Sequence, residues 1–429
     1  MNAPSEIEVA PRERLEALQL ERLRAVLARL IERVAPARER LHAAGVTAAG
    51  DVGSIDDLAG LPFTTKAELH DQYPFGLLAV AREELVRIHA SSGTGGRSTL
   101  VGYTRADLET WTALMARCLR MAGVRAGMVV HNAYGYGLFT GGLGFHQGAE
   151  RLGATVVPAS GGVTARQVAL LHDLRAQALF ATPSYALRIA QVVAEAGLGP
   201  EDLALEVGVF GAEAWTPALG AEIERGLGLT ALNMYGLSEM IGPGVAAECL
   251  EGRAGSHLNE DHFLAEVVDP LTGAPLAPGE EGELVLTTLT KEALPLVRYW
   301  TGDVATIHVE QCVCGRTLAR MSAVRGRCDD MLVIRGVNLY PSEIEAALLT
   351  VDGVAPHYQI VVERPAALDE ITVACEPADN GIDVDALAAR VARTLRERTG
   401  VTIGVSVLDP GAVPRSEGKA IRLVDRRTL

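Results

Sequence analysis

Short apolar runs set apart by helix-length amphipathic stretches constrain this chain more than any other feature. Met128-Val129-Val130, Ala154-Thr155-Val156-Val157 and Val207-Gly208-Val209-Phe210 are each too short to make a helix, and stretches such as 164–177 and 184–197 separate them with apolar residues at helical spacing. Alternation of this kind predicts an α/β fold, with helices layered on a sheet whose strands run largely parallel. Ahead of it, Leu15, Leu18, Val26, Leu30 and Val34 recur at helical spacing through residues 12–44, which read as one amphipathic helix. Such a helix either covers the core or supplies the face of a homodimer.

The pattern changes near residue 255. Residues 263–270, 283–289 and 304–309 read as consecutive strands, with a hairpin turn over 271–282. A second change follows Arg327, where residues 342–350 and 383–398 read as helices among strands at 358–363, 370–375 and 402–408. The expected organisation is a large N-terminal domain over 1–327, β-rich over about 249–320, and a small α+β domain over 328–429.

Charge narrows the partners. Thirty-nine Lys and Arg against 54 Asp and Glu leave a formal net charge of −15. That balance argues against general binding to nucleic acid or to a membrane surface, since both need a basic face. A polyanionic small ligand stays open, because a few placed cations serve it locally. No run approaches 18 uninterrupted apolar residues, and Glu6, Glu8 and Glu13 are wrong for a secretory or transit segment, so a cytoplasmic protein is the expectation.

Six cysteines are too few for a disulfide scaffold in 429 residues. Four soft or borderline donors flank the strand-rich segment as Cys249-x7-His257 and Cys312-x-Cys314, a set suited to a closed tetrahedral zinc site of three thiolates and one imidazole. Free thiols in a reducing compartment are the alternative, and His262 is the second histidine in range. Cys118, Cys328 and Cys375 sit beside no histidine suited to nucleophilic work and read as structural.

The sharpest local signal is Ser91-Ser92-Gly93-Thr94-Gly95-Gly96-Arg97-Ser98-Thr99, with three glycines, five hydroxyl residues and one cation in nine positions. Glycines let the backbone curl with its N–H groups inward, hydroxyls add donors, and the arginine offsets phosphate charge. A flexible surface loop is the competing reading of the segment alone. It is not a Walker loop, because G-x-x-x-x-G-K-[ST] fails both here and at Gly418-Lys419-Ala420.

Further motifs follow in a set order: Gly211-Ala212-Glu213, Met234-Tyr235-Gly236-Leu237-Ser238-Glu239, Tyr299-Trp300-Thr301-Gly302-Asp303, Gly326-Arg327-Cys328-Asp329-Asp330-Met331, Arg335-Gly336-Val337-Asn338-Leu339-Tyr340-Pro341 and Gly418-Lys419. Together they resemble the acyl- and aryl-CoA synthetase superfamily of adenylate-forming enzymes, and most closely its phenylacetate–CoA ligase branch. Leu61-Pro62-Phe63-Thr64-Thr65-Lys66, Tyr73-Pro74-Phe75-Gly76 and residues 132–140 are similar to that branch in particular, so the resemblance spans about 61–427.

The resemblance implies a two-step reaction. A carboxylate attacks the α-phosphate of ATP to give an acyl-adenylate and pyrophosphate, and a thiol, normally that of coenzyme A, then displaces AMP. Two anions must meet in line, so the site has to neutralise charge and align them. On this resemblance Ser91, Ser92, Gly93, Thr94, Gly95, Gly96 and Arg97 would hold the ATP β- and γ-phosphates. Gly95 stands where threonine is common and Arg97 where lysine is, which trades a point charge for a fork. Glu239 would bind Mg²⁺ bridging the phosphates. Glu213, Tyr235, Gly236 and Ser238 would line the nucleotide, with Tyr235 near the adenine, and Asp303 would accept the ribose hydroxyls. Trp300 replaces the basic residue usual before Thr-Gly-Asp, so any phosphate contact from there is lost.

Arg327 resembles the arginine that reaches the ribose or α-phosphate, Asp329 the hinge of the C-terminal unit, and Lys419 the lysine that bridges carboxylate and α-phosphate during adenylation. Gly336 would line the channel for the pantetheine arm of CoA. Tyr134, Tyr136, Phe139, Ala212 and Gly236 suit a ring-bearing acid, flat walls over small residues, although any of the three aromatics could instead pack the core. Some members of this branch have a zinc site like the Cys/His set above. The implied enzyme is an ATP-dependent aryl-acid–CoA ligase. Loading of a carrier protein's phosphopantetheine is the near alternative. A catalytically silent homologue is the distant one, and joint retention of Glu239, Asp303, Arg327 and Lys419 speaks against it.

Overall fold

The computed structural model describes residues 4–91, 99–334, 337–364 and 369–427. Ser92, Gly93, Thr94, Gly95, Gly96, Arg97 and Gly336 therefore lie outside the described residues, as does the side chain of Asp329.

Four parallel pairings make one half of a nine-stranded sheet, joining Thr155–Val157 at its edge to Val129–Asn132, Ala178–Ala181, Val207–Gly211 and Thr230–Leu237 in that spatial order. The inner strands are buried on both faces, which is why they read as unbroken apolar runs. Successive side chains leave opposite faces: Phe180 joins the core under helices Arg105–Met121 and Gly141–Leu152, while its neighbour Leu179 joins a second core under Pro183–Glu195 and Pro217–Leu227. Beyond Leu237 the chain turns tightly, and the sheet continues antiparallel through Gly242–Glu248, Ser256–Leu258, Arg320–Met321 and Ile307–His308. The expectation of largely parallel strands thus holds for the half that carries the crossover helices.

A separate four-stranded antiparallel sheet joins Phe263–Val268, Gly282–Thr288, Tyr299–Ala305 and Gly326–Arg327. The third strand begins at Tyr299, five residues before the expected 304, and Thr306 interrupts it so that Ile307–His308 pairs in the other sheet. The last four-stranded sheet orders Gly404–Val407, Glu370–Pro377, Val354–Glu363 and Leu423–Asp425, and it shares a third core with helices Pro341–Leu348 and Val384–Thr399. Both outer strands of that sheet are parallel additions to an antiparallel pair.

Residues 12–44 form two helices, Arg12–Arg33 and Ala35–Ala43, because Val34 leaves the helical conformation and Pro36, in the first turn of the second helix, has no N–H to continue the first. Leu15, Leu23 and Leu27 are fully buried within this chain, so the first helix covers the core and offers no free apolar face. Glu8 anchors its start, accepting from Arg316 Nε at 2.8 Å and from Arg120. Among the described residues no helix is long and apolar enough to cross a membrane.

Candidate active site

Three strands bring together Tyr235, Asp303 and Arg327, the residues expected to hold the nucleoside. Thr230–Leu237 carries Tyr235 and Gly236, Tyr299–Ala305 carries Asp303, and the register of Gly326–Arg327 sets Arg327 directly opposite Asp303. Tyr235 Oη donates to Asp303 Oδ2 at 2.6 Å, and Arg327 Nη1 donates to Asp303 Oδ1 at 2.9 Å. Burial, and then the facing carboxylate, push the Tyr235 phenol well above its ordinary range, so its proton stays on oxygen. Gly302 has φ +79°, a backbone conformation that favours glycine, and a Cβ there would crowd Arg327 Nη2 at 3.0 Å. Trp300 turns away to Glu283 and stacks edge-on against Phe63, with ring centroids 4.5 Å apart.

Glu239 is buried in the turn between Thr230–Leu237 and Gly242–Glu248. Lys291, which sequence reasoning did not single out, donates to the Glu239 carbonyl oxygen at 3.1 Å and stands 4.9 Å over the Tyr103 ring. Burial lowers its ammonium to about 8. A lone lysine in Thr290-Lys291-Glu292 carries no periodic signal that would mark it as buried. Ser238 shares a hydroxyl contact of 3.3 Å with Thr140. At Gly236 a Cβ would lie 2.1 Å from the Gly242 carbonyl oxygen, so no side chain fits.

The glycine-rich loop leaves strand Arg87–Ala90 and returns into Leu100–Tyr103, an antiparallel pair. Its neck is pinched by Ser91 N to Thr99 O at 2.9 Å and Thr99 N to Ser91 Oγ at 3.2 Å.

The three aromatics do not form one wall. Tyr134 is 7% exposed and stacks on Phe145 with centroids 4.7 Å apart, and its hydroxyl donates to Gly211 O at 3.3 Å. Tyr136 folds back onto Asn132 Nδ2 at 2.7 Å and His146 Nδ1 at 3.1 Å. Phe139 is 54% exposed, next to Leu138, whose carbonyl accepts from Ala90 N and His89 Nδ1. Aromatic spacing in the sequence could not tell these surroundings apart, since each ring follows its own local turn. Ala212 closes strand Val207–Gly211 with φ +72°, a strained backbone for a residue with a Cβ.

Lys419 is bracketed by contacts with the large unit. Thr182 Oγ1 donates to Gly418 O at 2.9 Å, and Ala420 N donates to Glu213 Oε1 at 2.7 Å. Glu213 thus holds the lysine segment, and its other oxygen accepts from Ser184 Oγ at 2.5 Å. Burial raises the Glu213 carboxyl above its usual range. Within the C-terminal unit the same segment is anchored by Glu376, which accepts from both terminal nitrogens of Arg415 and from Gly411 and Val413 N–H groups. Sequence reasoning missed Thr182, Ser184 and Thr216. The signal available was Thr-Pro twice, at Thr182-Pro183 and Thr216-Pro217, each capping a helix at the carboxyl end of a parallel strand.

Cys249, His257, Cys312 and Cys314 converge, with their donor atoms all within 4.8 Å of one another. The Cys249 and Cys312 sulfurs are 3.8 Å apart, too far for a disulfide. Two zinc–sulfur bonds of about 2.3 Å at the tetrahedral angle span about 3.8 Å. Cys314 Sγ lies 3.4 Å from His257 Nε2, whose other nitrogen faces the Leu318 carbonyl at 3.3 Å, leaving Nε2 as the donor toward the sulfurs. Burial holds His257 neutral, near 4. His262 is turned elsewhere, to Thr290 Oγ1 at 2.7 Å and Asp261.

The family model described as AMP-binding enzyme matches residues 4–289, and that of the AMP-binding enzyme C-terminal domain matches 336–427, so the chain belongs to the AMP-binding enzymes. The phenylacetate–coenzyme A ligase of Thermus thermophilus is 53% identical over 436 residues, covering 98% of each chain. That of Escherichia coli is 47% identical over 429 residues, covering 99% of this chain and 97% of its own. Within the family, the chain belongs to the phenylacetate–CoA ligase branch. Among solved structures, a 2-hydroxyisobutyryl-CoA ligase in the postadenylation state with 2-HIB-AMP superposes with a TM-score of 0.93 at 29% identity, covering 98% of this chain and 91% of that one. The same enzyme with 2-HIB-AMP and CoA in the thioesterification state reaches 0.73 at 30% identity, covering 98% and 92%.

Proposed function

We propose that the chain joins an aryl carboxylic acid to the thiol of coenzyme A with consumption of ATP, through an acyl-adenylate. The observation that carries this reading is the bracketing of Lys419 by Thr182 and Glu213, on the side of the sheet where the parallel strands end and where ligands of such sheets bind.

In the first step Asp303, Tyr235 and Arg327 hold the nucleoside end of ATP, and the loop over residues 91–97 holds the phosphates. Lys419 brings its ammonium to the point where carboxylate oxygen approaches phosphorus, offsetting charge that grows in the transition state. Glu239 would hold Mg²⁺, which offsets charge on the phosphates, and its buried main chain, tied to Lys291, supports a set carboxylate position. In the second step the C-terminal unit, residues 328–429, turns at Asp329 so that Gly336 faces the pantetheine arm and the thiol displaces AMP. The separate core of that unit and its own family match support this division from residues 1–327. Cys249, His257, Cys312 and Cys314 would hold a structural zinc, since donor set and spacing both fit a closed tetrahedral site.

Phenylacetate is the acid of first choice and CoA the thiol, because four curated relatives at 44–53% identity carry the name phenylacetate–coenzyme A ligase. The test is pyrophosphate release over phenylacetic, benzoic, hydroxybenzoic and aminobenzoic acids, followed by AMP release with free CoA against a phosphopantetheinyl carrier protein. Phenylacetate and CoA are expected to win. Release with no aryl acid would overturn the reading.

A further inference from the structure

Around Lys419 the two units exchange hydrogen bonds three times in one continuous chain. Thr216 N of the large unit donates to Glu345 Oε1 of the C-terminal unit at 3.1 Å. The other oxygen of Glu345 accepts from Tyr358 Oη at 2.6 Å and from Arg422, both in its own unit. Arg422 Nη2 crosses back to Ser184 Oγ at 3.2 Å, Ser184 donates to Glu213, and Glu213 returns to Ala420 N, the residue after Lys419.

We infer that Glu345 and Arg422, with Ser184 and Thr216, form a latch that exists only in the adenylate-forming pose and sets the position of Lys419. Glu345 and Arg422 are positioning residues on this view and touch no substrate. The inference rests on the proposed role of Lys419 and adds the device that delivers it.

The division of charge explains why such a latch can open. Glu345 is 1% exposed, and a carboxylate left alone at that depth would cost far more than one hydrogen bond returns. Its countercharge Arg422 and its donor Tyr358 belong to the same unit and travel with it. What breaks on rotation is the set of contacts with Thr216 N–H, Ser184 hydroxyl and Glu213, each reversible without stranding a charge of the moving unit. Thr216 is also the N-cap of helix Pro217–Leu227, whose positive end favours the Glu345 carboxylate while closed. The higher similarity to the postadenylation structure than to the thioesterification one agrees with this pose.

The test separates the half-reactions in Ser184→Ala and Glu345→Gln. Adenylation is read as phenylacetate-dependent pyrophosphate–ATP exchange, and thioester formation as CoA consumption from synthetic phenylacetyl-adenylate. Loss of a hydrogen bond to a buried charge predicts exchange lower by about tenfold in Ser184→Ala and by about 30- to 100-fold in Glu345→Gln, with thioester formation within about twofold of the parent. Equal loss in both half-reactions marks a merely structural role and overturns the latch, as does unchanged exchange. Lys419→Ala runs beside them. If it keeps exchange, the Lys419 role falls and the latch with it; if it loses exchange while the other two keep theirs, the latch alone falls.

Discussion

Asp303 and Arg327 face each other across two paired strands, and their side chains meet at 2.9 Å. Tyr235 adds a 2.6 Å donor to the second oxygen of Asp303. Tyr235→Phe removes that donor with little change of shape. Steady-state kinetics should show KM for ATP raised at least about tenfold, the effect of one hydrogen bond to a charged group, with KM for the acid unmoved. A rise confined to the acid would contradict the assignment.

Glu239 is buried, and its main chain is tied down by Lys291. Glu239→Gln keeps the shape and removes the charge that a hard divalent ion needs. The Mg²⁺ concentration for half-maximal rate should rise at least about tenfold, while acid affinity changes little. Equal weakening of both would count against a metal role.

The cysteine–histidine cluster predicts about one zinc per purified chain by metal analysis. Cys312→Ser should lose most of it and unfold at least about 5 °C lower by calorimetry, because metal binding free energy becomes folding free energy. Less than about a tenth of a zinc per chain in the parent protein would remove the site.

Burial holds His357 near 4, below the ordinary 6.5, with Arg415 and Arg188 pushing the same way and Glu376 opposing. As pH falls through 6.5 the unfolded chain takes up a proton that native His357 refuses until about 4. The unfolded state therefore gains protons first, and native stability falls across that window. His89 and His131, also lowered by burial, act in the same sense. Melting temperature should drop from pH 6.5 to 4, and His357→Gln should flatten part of that drop. An identical slope in the variant would refute the contribution.

Legibility followed the physics of each element. Val207–Gly211 reads plainly because a strand buried on both faces must be apolar throughout. Ala178–Ala181 does not, since its alanine-rich run merges with the helical patterns before and after it. Leu423–Asp425 is three residues among charges, and pairing with Val354–Glu363 alone makes it a strand.

At the level of chemistry the sequence offered candidate donors and their order: carboxylates, a lysine and thiols. Those are local properties, carried by side chains and by glycines with unusual backbone angles. Pairings across the fold left no such trace. Thr182 and Gly418 are 236 residues apart and Glu213 and Ala420 are 207 apart, and no periodicity encodes contacts at that range. The packing of two separately cored units made Glu213 a support for the lysine segment and parted Tyr134, Tyr136 and Phe139, because each side chain's partners come from whichever surface the other elements bury against it.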